Sequence, residues 1–342
     1  MTQSTTENRR LILNERPKGF PNENTLRLEN SEIPTPGENE MLLRTAFLSL
    51  DPYMRGRMSD APSYAPPVEV GEHMVGGTVS QVVTSNLEGY SEGDWVLSMN
   101  GWQDYALSDG TGNINMGKSP QNPSWALGVL GMPGFTAYAG LLKIGTPKSG
   151  ETLVVSSAAG AVGSIVGQIG KILGLRVVGI AGGPEKCKHV QEEYGFDLCI
   201  DYKADDFAER LAHAVPNGID IYYENVGGAV FDAVLPLLNP NARIPVCGLI
   251  SMYNATSLPD GPDRMGLLMS NILRKKLKMQ GFIIFDDFPD LYPEFAEAMM
   301  GWLSEGKIQY KEDLIDGLEN APEAFVGLLK GENNGKRVIR VG

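Results

Sequence analysis

Ala158-Ala-Gly-Ala-Val-Gly163 follows an apolar run, Leu153, Val154 and Val155, and precedes a segment in which Ile165, Val166, Ile169, Ile172 and Leu173 recur at helical spacing. An apolar strand, a glycine turn and a helix form a seat for a pyrophosphate, because the helix begins with unpaired N–H groups and the positive end of its dipole. Gly160 lets the backbone approach the phosphates, and Gly163 lets the helix pack closely on the strand. The pattern is G-x-G-x-x-G with Ala158 at its first glycine, so on pattern alone an ordinary strand-to-helix turn explains it as well. The next strand, Arg176 to Ile180, separates the two readings. An NAD site places an acid just after that strand to hold the ribose. Here the chain continues Ala181, Gly182, Gly183, Pro184, Glu185 and Lys186. Small residues ending at Gly183, then a lysine, suit a 2′-phosphate, which no carboxylate repels and an ammonium can pair with. The expected cofactor is NADP, with Lys186 as phosphate partner; a solvated first-turn lysine is the alternative.

Such a turn needs a sheet behind it. From Gly128 to about Leu303 strands at 152–156, 176–180, 197–201, 219–224, 242–247 and 278–284 alternate with helical stretches, which predicts a doubly wound parallel sheet. Before it, short strands at Met41 to Leu48, Gly77 to Val83, Asp94 to Met99 and Gln103 to Leu107, punctuated by Gly and Pro, read as an all-β, barrel-like domain. After a helix at Ala321 to Leu329 the chain ends in a strand, Arg337 to Val341, suited to return to that barrel. The expected organisation is α/β: a β-barrel domain at 1–127 and 304–342, with a dinucleotide-binding domain inserted at 128–303.

Ligands of doubly wound sheets sit at the carboxyl ends of the strands. Strand four ends Ile221-Tyr-Tyr-Glu-Asn-Val-Gly-Gly228, and strand five ends Val246-Cys-Gly-Leu-Ile-Ser-Met-Tyr-Asn254. Asn225 and Tyr253 are the side chains expected near a nicotinamide. Asn before two glycines also serves as a plain turn residue, and Tyr253 also reads as a loop aromatic packing its ring.

Acidic residues outnumber basic ones 42 to 29, for a net charge of −13, and the largest basic cluster is Arg274, Lys275 and Lys276. Neither nucleic acid nor an anionic membrane is an expected partner. Met1 to Arg10 is polar, and no apolar run reaches membrane-spanning length, so a cytoplasmic location is expected. Cys187, Cys199 and Cys247 are too few and too scattered for a disulfide framework or a C-x-x-C zinc site; they read as buried, reduced thiols.

Six blocks together carry a resemblance that spans nearly the whole chain. They are Leu50-Asp-Pro-Tyr-Met-Arg-Gly-Arg-Met58, Gly131-Met-Pro-Gly-Phe-Thr-Ala-Tyr138, Ala158-Ala-Gly-Ala-Val-Gly163, Tyr223-Glu-Asn-Val-Gly-Gly228, Cys247-Gly-Leu-Ile-Ser-Met-Tyr-Asn254 and Leu318-Glu-Asn-Ala-Pro-Glu-Ala-Phe325. The chain resembles the zinc-free medium-chain dehydrogenase/reductases of the prostaglandin reductase and alkenal double-bond reductase type, above all their bacterial NADPH-dependent curcumin reductase branch. The resemblance implies a GroES-like barrel with an inserted Rossmann domain, a homodimer, and NADPH-dependent reduction of the carbon–carbon double bond of an α,β-unsaturated carbonyl. It implies that Gly160, Ala161, Val162, Gly163 and Ser164 meet the pyrophosphate, and that Gly183, Lys186 and Tyr202 form the 2′-phosphate end. Thr136, Asn225, Cys247, Gly248, Ile250, Ser251, Phe282, Ile283, Ile284 and Asn334 would line the rest of the cofactor, with Met132 near the nicotinamide and the substrate. The chain departs from the zinc-using cousins: Gly71-Glu72-His73-Met74 stands where they have G-H-E, Leu50-Asp51 stands at their cysteine motif, and no cysteine precedes Cys187. A catalytic zinc is not expected, and His73 reads as structural.

Without a metal, a hydrogen-bond donor must activate the substrate. Hydride addition at the β-carbon of an enone moves negative charge onto the carbonyl oxygen, so a hydroxyl aimed there favours the transition state over the ground state. Tyr253 is the expected catalytic donor, the α-carbon then taking a proton from it or from water. Tyr53 and Tyr64, the latter in a proline-rich loop, are the expected aromatic walls for a conjugated substrate. Two other readings stand beside this one: an NADPH quinone reductase on the same architecture, and a non-catalytic NADPH-binding protein. An alcohol dehydrogenase direction is also compatible with a tyrosine donor.

Overall fold

The computed structural model describes residues 7–258 and 262–342, and they form two compact units. One takes in the described residues up to Leu127 together with Glu312–Gly342; the other is Gly128–Lys311.

The first unit opens with a hairpin, β1 (Glu7–Leu13) and β2 (Leu26–Glu32), paired antiparallel. Five strands follow: β3 (Met41–Ser49), β4 (Thr78–Ser85), β5 (Trp95–Ser98), β6 (Tyr105–Ser108) and β7 (Ile114–Gly117). A single helical turn, α1 (Met54–Arg57), lies between β3 and β4. β3 is buried along most of its length because β4, β6 and a strand from the chain's end all pair with it. The four barrel strands read from the sequence are β3 to β6. The hairpin and β7 escaped that reading because β2 and β7 carry mostly exposed, polar residues and show no apolar alternation.

The second unit begins with α2 (Met132–Ala139) and then alternates: β8 (Thr152–Ser156), α3 (Gly163–Ile172), β9 (Arg176–Ala181), α4 (Pro184–Glu192), β10 (Leu198–Asp201), α5 (Phe207–Ala214), β11 (Ile219–Tyr223), α6 (Gly228–Val234), β12 (Leu238–Val246), α7 (Met265–Lys275) and β13 (Lys278–Gly281). The six strands form one parallel sheet in the order β10-β9-β8-β11-β12-β13. This is the doubly wound order, and its switch point lies between β8 and β11. Every residue of β8 is buried, as a central parallel strand covered on both faces must be. Val154, Val178, Ile180, Tyr222 and Ile244 form the heart of one core cluster. On α3 a β-carbon at Gly167 would fall 1.8 Å from the Phe196 ring, so only glycine permits the helix to sit that close.

The second unit extends to Lys311 rather than 303, and two strand boundaries differ from the sequence reading by three residues or more. β12 starts at Leu238 rather than 242. The sixth strand stops at Gly281 rather than 284, because Ile284 opens a short helix, α8 (Ile284–Asp287), and the Asp287 carboxylate accepts the Ile283 N–H at 2.7 Å. This side chain-to-backbone bond satisfies a helix-start donor, and local apolar pattern gives no sign of it.

After α9 (Tyr292–Ser304) the chain re-enters the first unit as β14 (Glu312–Asp316), α10 (Ala321–Leu329) and β15 (Lys336–Arg340). β15 pairs antiparallel with β3 and parallel with β14, so the terminal strand joins the barrel sheet. Trp102 and Phe325 meet edge to face at 5.7 Å beneath it.

Candidate active site and cofactor cradle

The β8–α3 turn owes its shape to Ser157, whose φ of 54° is left-handed. The strain therefore falls one residue before Ala158, which is why the missing first glycine does no harm: Ala158 is fully buried and donates its N–H to Ile180 O at 2.9 Å. Gly160 N donates to Ser157 O at 2.9 Å, closing the turn. A β-carbon at Gly163 would lie 2.3 Å from Ser157 O, so glycine is obligatory there. Within the second unit the N–H groups of Ala161, Val162 and Gly163 donate to no backbone oxygen of the described residues, and Gly160, Ala161 and Val162 are half-exposed. Ser164 begins the helical ladder by donating to Gly160 O at 3.1 Å. Donors without acceptors at the positive end of α3 form a cradle for an anion.

At the end of β9, Gly183 adopts φ +97° and donates its N–H to Asp201 Oδ1 at 2.8 Å; the same oxygen accepts Lys203 N at 2.9 Å. The acid at the end of β10 is thus committed to shaping the turn. Tyr202 is 39% exposed, and a β-carbon at Gly182 would fall 2.9 Å from its ring and 3.1 Å from Lys203 Cε. Lys186 is half-buried on α4's first turn. The structure therefore gathers Gly183, Tyr202 and a second lysine, Lys203, around one small-residue turn. Lys203 went unread in the sequence because it follows a different strand, though it lies just two residues beyond that strand's end.

The switch point holds a buried polar cluster. Asn225 donates from its backbone N–H to Ser156 Oγ at 2.9 Å and from Nδ2 to Ser156 O at 2.8 Å, which binds the end of β11 to that of β8. Glu224 is 2% exposed; its Oε1 accepts Val226 N at 2.7 Å, Gly227 N at 2.9 Å and the Tyr222 hydroxyl at 3.0 Å, and lies 3.3 Å from Ser156 Oγ. Its other oxygen, Oε2, is buried with no partner, and burial holds the carboxyl above the ordinary carboxylate value. Ser156 and Glu224 were not singled out in the sequence, although a lone acid closing an apolar strand is a visible signal.

The 247–253 segment is laced to this turn. Cys247 and Gly248 donate to Glu224 O at 2.9 and 3.2 Å, Ile250 N donates to Asn225 O at 3.2 Å, and Ser251 donates to Val226 O from both its N–H and its hydroxyl. Tyr253 follows the short turn Ile250–Met252; it is half-buried, and its hydroxyl accepts the Leu249 N–H at 3.4 Å. The half-buried Cys247 thiol bonds to the Tyr223 hydroxyl and is pushed up to about 12, chiefly by desolvation. That hydroxyl donates to Thr136 O at 2.7 Å, and Thr136 Oγ1 donates to Met132 O at 2.7 Å, so α2 is anchored to β11. The side chains of Phe282 and Ile284 are buried, at 7% and 6% exposed, whereas Ile283 presents its backbone at the start of α8.

In the first unit Tyr53 caps α1 half-buried, and its hydroxyl is held well above the usual tyrosine value by desolvation and then by the Asp51 charge. Asp51 accepts the Ser49 hydroxyl and pairs with the buried Lys336 ammonium at 2.6 Å, which also donates to Leu50 O at 2.9 Å. Tyr64 is 60% exposed, and its charge is the smallest of the influences that raise the Tyr53 hydroxyl. Asn334 donates its N–H to Asp313 at 3.2 Å, and its side-chain Oδ1 is buried without a partner. His73 pairs with Gln103 at 3.3 Å, and its pKa is depressed by burial, as expected of a structural histidine. Among the described residues no three His, Cys, Asp or Glu side chains converge as a metal cluster would.

The second unit offers features that fit NADPH: N–H groups without acceptors within that unit at the start of α3, and the Lys203 side chain against Gly182 in the small-residue turn after β9.

Residues 9–116 match the model of an N-terminal domain of oxidoreductases, and residues 161–304 match that of zinc-binding dehydrogenases. The chain is 63% identical to the NADPH-dependent curcumin reductase of Escherichia coli over 341 residues, covering 100% of this chain and 99% of that one. It is 40% identical to prostaglandin reductase 1 of Mus musculus, covering 94% of this chain and 96% of that one. The crystal structure of CurA from Vibrio vulnificus in complex with NADPH superposes with a TM-score of 0.96 at 63% identity, covering 98% of this chain and 99% of that one. With a barrel sheet closed by the terminal strand, a doubly wound sheet inserted in it, and relatives matched from end to end, the chain belongs to the medium-chain dehydrogenase/reductase family.

Proposed function

We propose that this protein is an NADPH-dependent enone reductase that saturates the carbon–carbon double bond of α,β-unsaturated carbonyl compounds, curcumin-like diaryl enones among them, without a metal. The observation that carries this reading is the end-to-end 63% identity to a curcumin reductase, joined to a β9 turn that presents lysines where an NAD site needs an acid. The prostaglandin reductase at 40% identity supports the wider substrate class.

The first-turn N–H groups of Ala161 to Gly163, with Ser164, hold the pyrophosphate, and Lys186, Tyr202 and Lys203 meet the 2′-phosphate. Thr136, Asn225, the Cys247–Ser251 segment, the Phe282–Ile284 backbone and Asn334 serve the remainder of the cofactor. Bound NADPH supplies the hydride that adds to the β-carbon of the substrate. As charge develops on the carbonyl oxygen, the Tyr253 hydroxyl donates to it, and the Leu249 N–H at 3.4 Å holds that hydroxyl in place. The α-carbon of the enolate then takes its proton from Tyr253 or from water. Tyr53, Tyr64 and Met132 are assigned to the substrate.

The working form is a homodimer. Its support is the exposed edge strand β13 together with Met265, Leu267, Met269 and Leu273, each more than half exposed on α7.

The test follows NADPH oxidation with a linear enal, a diaryl enone, a quinone and a secondary alcohol with NADP. Turnover on the enal and enone supports the reading; turnover confined to the quinone sinks it in favour of a quinone reductase.

A further inference from the structure

The loop that carries Tyr53 is held on both sides by buried charged side chains. Asp51, two residues before Tyr53, accepts the Lys336 ammonium on Oδ1 at 2.6 Å and the Ser49 hydroxyl on Oδ2. Arg55, two residues after it, donates from its guanidinium to the carbonyls of Pro17 and Gly19 at 3.1 and 2.8 Å. Asp51 and Arg55 are each buried. Between these anchors the backbone winds into α1, Met54 N donating to Asp51 O at 3.1 Å and Gly56 N to Tyr53 O at 2.9 Å. Lys336 arrives from the far end of the chain, 285 residues beyond Asp51, as the first residue of β15, and is itself buried. Its ammonium also donates to Leu50 O at 2.9 Å, beside the Leu50 N–H that donates to Arg337 O at 3.2 Å.

A second acid neighbours this lysine. Glu312 is its register partner on β14, yet Glu312 Oε2 accepts the Ser124 hydroxyl at 2.9 Å and Oε1 is buried with no partner, while burial holds the carboxyl above the ordinary carboxylate value. Among the described residues the ammonium donates to Asp51 and to Leu50 O and to no other acceptor. Both acceptors belong to the stretch that leaves β3 for Tyr53. A buried ion pair is a poor source of stability, because desolvating two charges offsets their attraction, and an apolar pair would hold the strands together as well. An apolar pair has no direction, whereas an ammonium with two fixed acceptors dictates where the chain turns.

We propose that Lys336 is a positioning residue for substrate binding, fixing through Asp51 and the Leu50 carbonyl the loop that presents Tyr53. The anchoring stands on the hydrogen bonds alone; its consequence for the substrate rests on the assignment of Tyr53 made above. Desolvation and the Asp51 charge hold the Tyr53 hydroxyl in its protonated form, so the fixed loop offers an enone both a ring and a donor. Without the ammonium, Asp51 is a buried acid with only the Ser49 hydroxyl to satisfy it, and the 50–53 stretch must shift to bring it to water.

The test uses the full-length protein with a diaryl enone at saturating NADPH. Lys336→Met raises the KM for the enone about tenfold and lowers kcat less than about threefold, the pattern of a lost binding contact. The Kd for NADPH, read by fluorescence titration, stays within about twofold of wild type. In a Tyr53→Ala background the same change moves KM less than about threefold, because the two residues act on one contact. Hydrogen exchange over residues 50–58 reads the anchoring directly and is faster in Lys336→Met. If that variant does not fold, Lys336→Met together with Asp51→Asn leaves no unpaired charge and carries the same comparisons. A wild-type KM in the folded variant, equal losses in both backgrounds, or a fall in NADPH affinity alongside the rise in KM overturns the proposal. A Tyr53→Ala enzyme with unchanged KM fails the substrate assignment of Tyr53, and faster exchange at 50–58 in Lys336→Met then keeps the anchoring alone. Unchanged exchange there overturns the anchoring too.

Discussion

Gly163→Ala isolates the cradle from the rest of the enzyme. The new β-carbon would lie 2.3 Å from Ser157 O, 2.8 Å from Ser157 C and 3.0 Å from Ser156 O, all of them backbone atoms that cannot rotate away. An ordinary contact needs about 3.5 Å, so the turn and the start of α3 must separate by about 1 Å. Overpacking of this kind costs ~1–3 kcal/mol, offset by up to ~1 kcal/mol of helix propensity. The same displacement takes the N–H groups of Ala161 and Val162 beyond hydrogen-bonding range of a phosphate. Two charge-assisted bonds at ~1.5–3 kcal/mol each set an upper bound; loss of one to two of them raises the Kd for NADPH by about 10-fold to about 20,000-fold. Gly301→Ala on α9 is the control, because a β-carbon there meets nothing within 4 Å; it should stabilise by ~0.5–1 kcal/mol and leave the Kd unchanged. Fluorescence titration with NADPH and urea unfolding measure both quantities. If Gly163→Ala binds NADPH within twofold of wild type while remaining folded, the turn does not carry the phosphates and the reasoning fails.

Three further outcomes follow from the site. Tyr253→Phe lowers kcat on an enone by ~10²–10³, the worth of one oxyanion donor, with NADPH affinity unchanged; a loss below threefold would remove Tyr253 from the chemistry. Lys203→Ala, at the lysine beside Gly182, weakens NADPH about tenfold and NADH little, a ratio that titration with both cofactors reads directly. Glu224 is raised above its unfolded value, so its contribution to stability is complete below about pH 4.5 and declines as pH rises through its folded pKa. Urea unfolding across pH should show Glu224→Gln losing less stability than wild type as pH rises, and parallel curves would count against a raised pKa.

Residue type and period alone determined the doubly wound unit. β8 is wholly buried and therefore wholly apolar in its interior positions, and α3 repeats its apolar residues at helical spacing, so chemistry and geometry coincide over a few neighbouring residues. The absence of an acid after β9 was equally legible, because the ribose contact in this fold occupies a fixed place relative to the strand. Tertiary structure decided what depends on residues far apart in the chain. Ser157 rather than residue 158 carries the left-handed turn; Lys203 arrives at Gly182 from the neighbouring strand; Asp201 spends its carboxylate on two backbone donors. Likewise the hairpin β1–β2 draws its place from pairing and not from pattern, and the end of β13 was set by an aspartate four residues beyond Ile283. Local sequence encodes burial and period, whereas hydrogen bonds between segments joined only by folding decide which polar groups remain to meet a ligand.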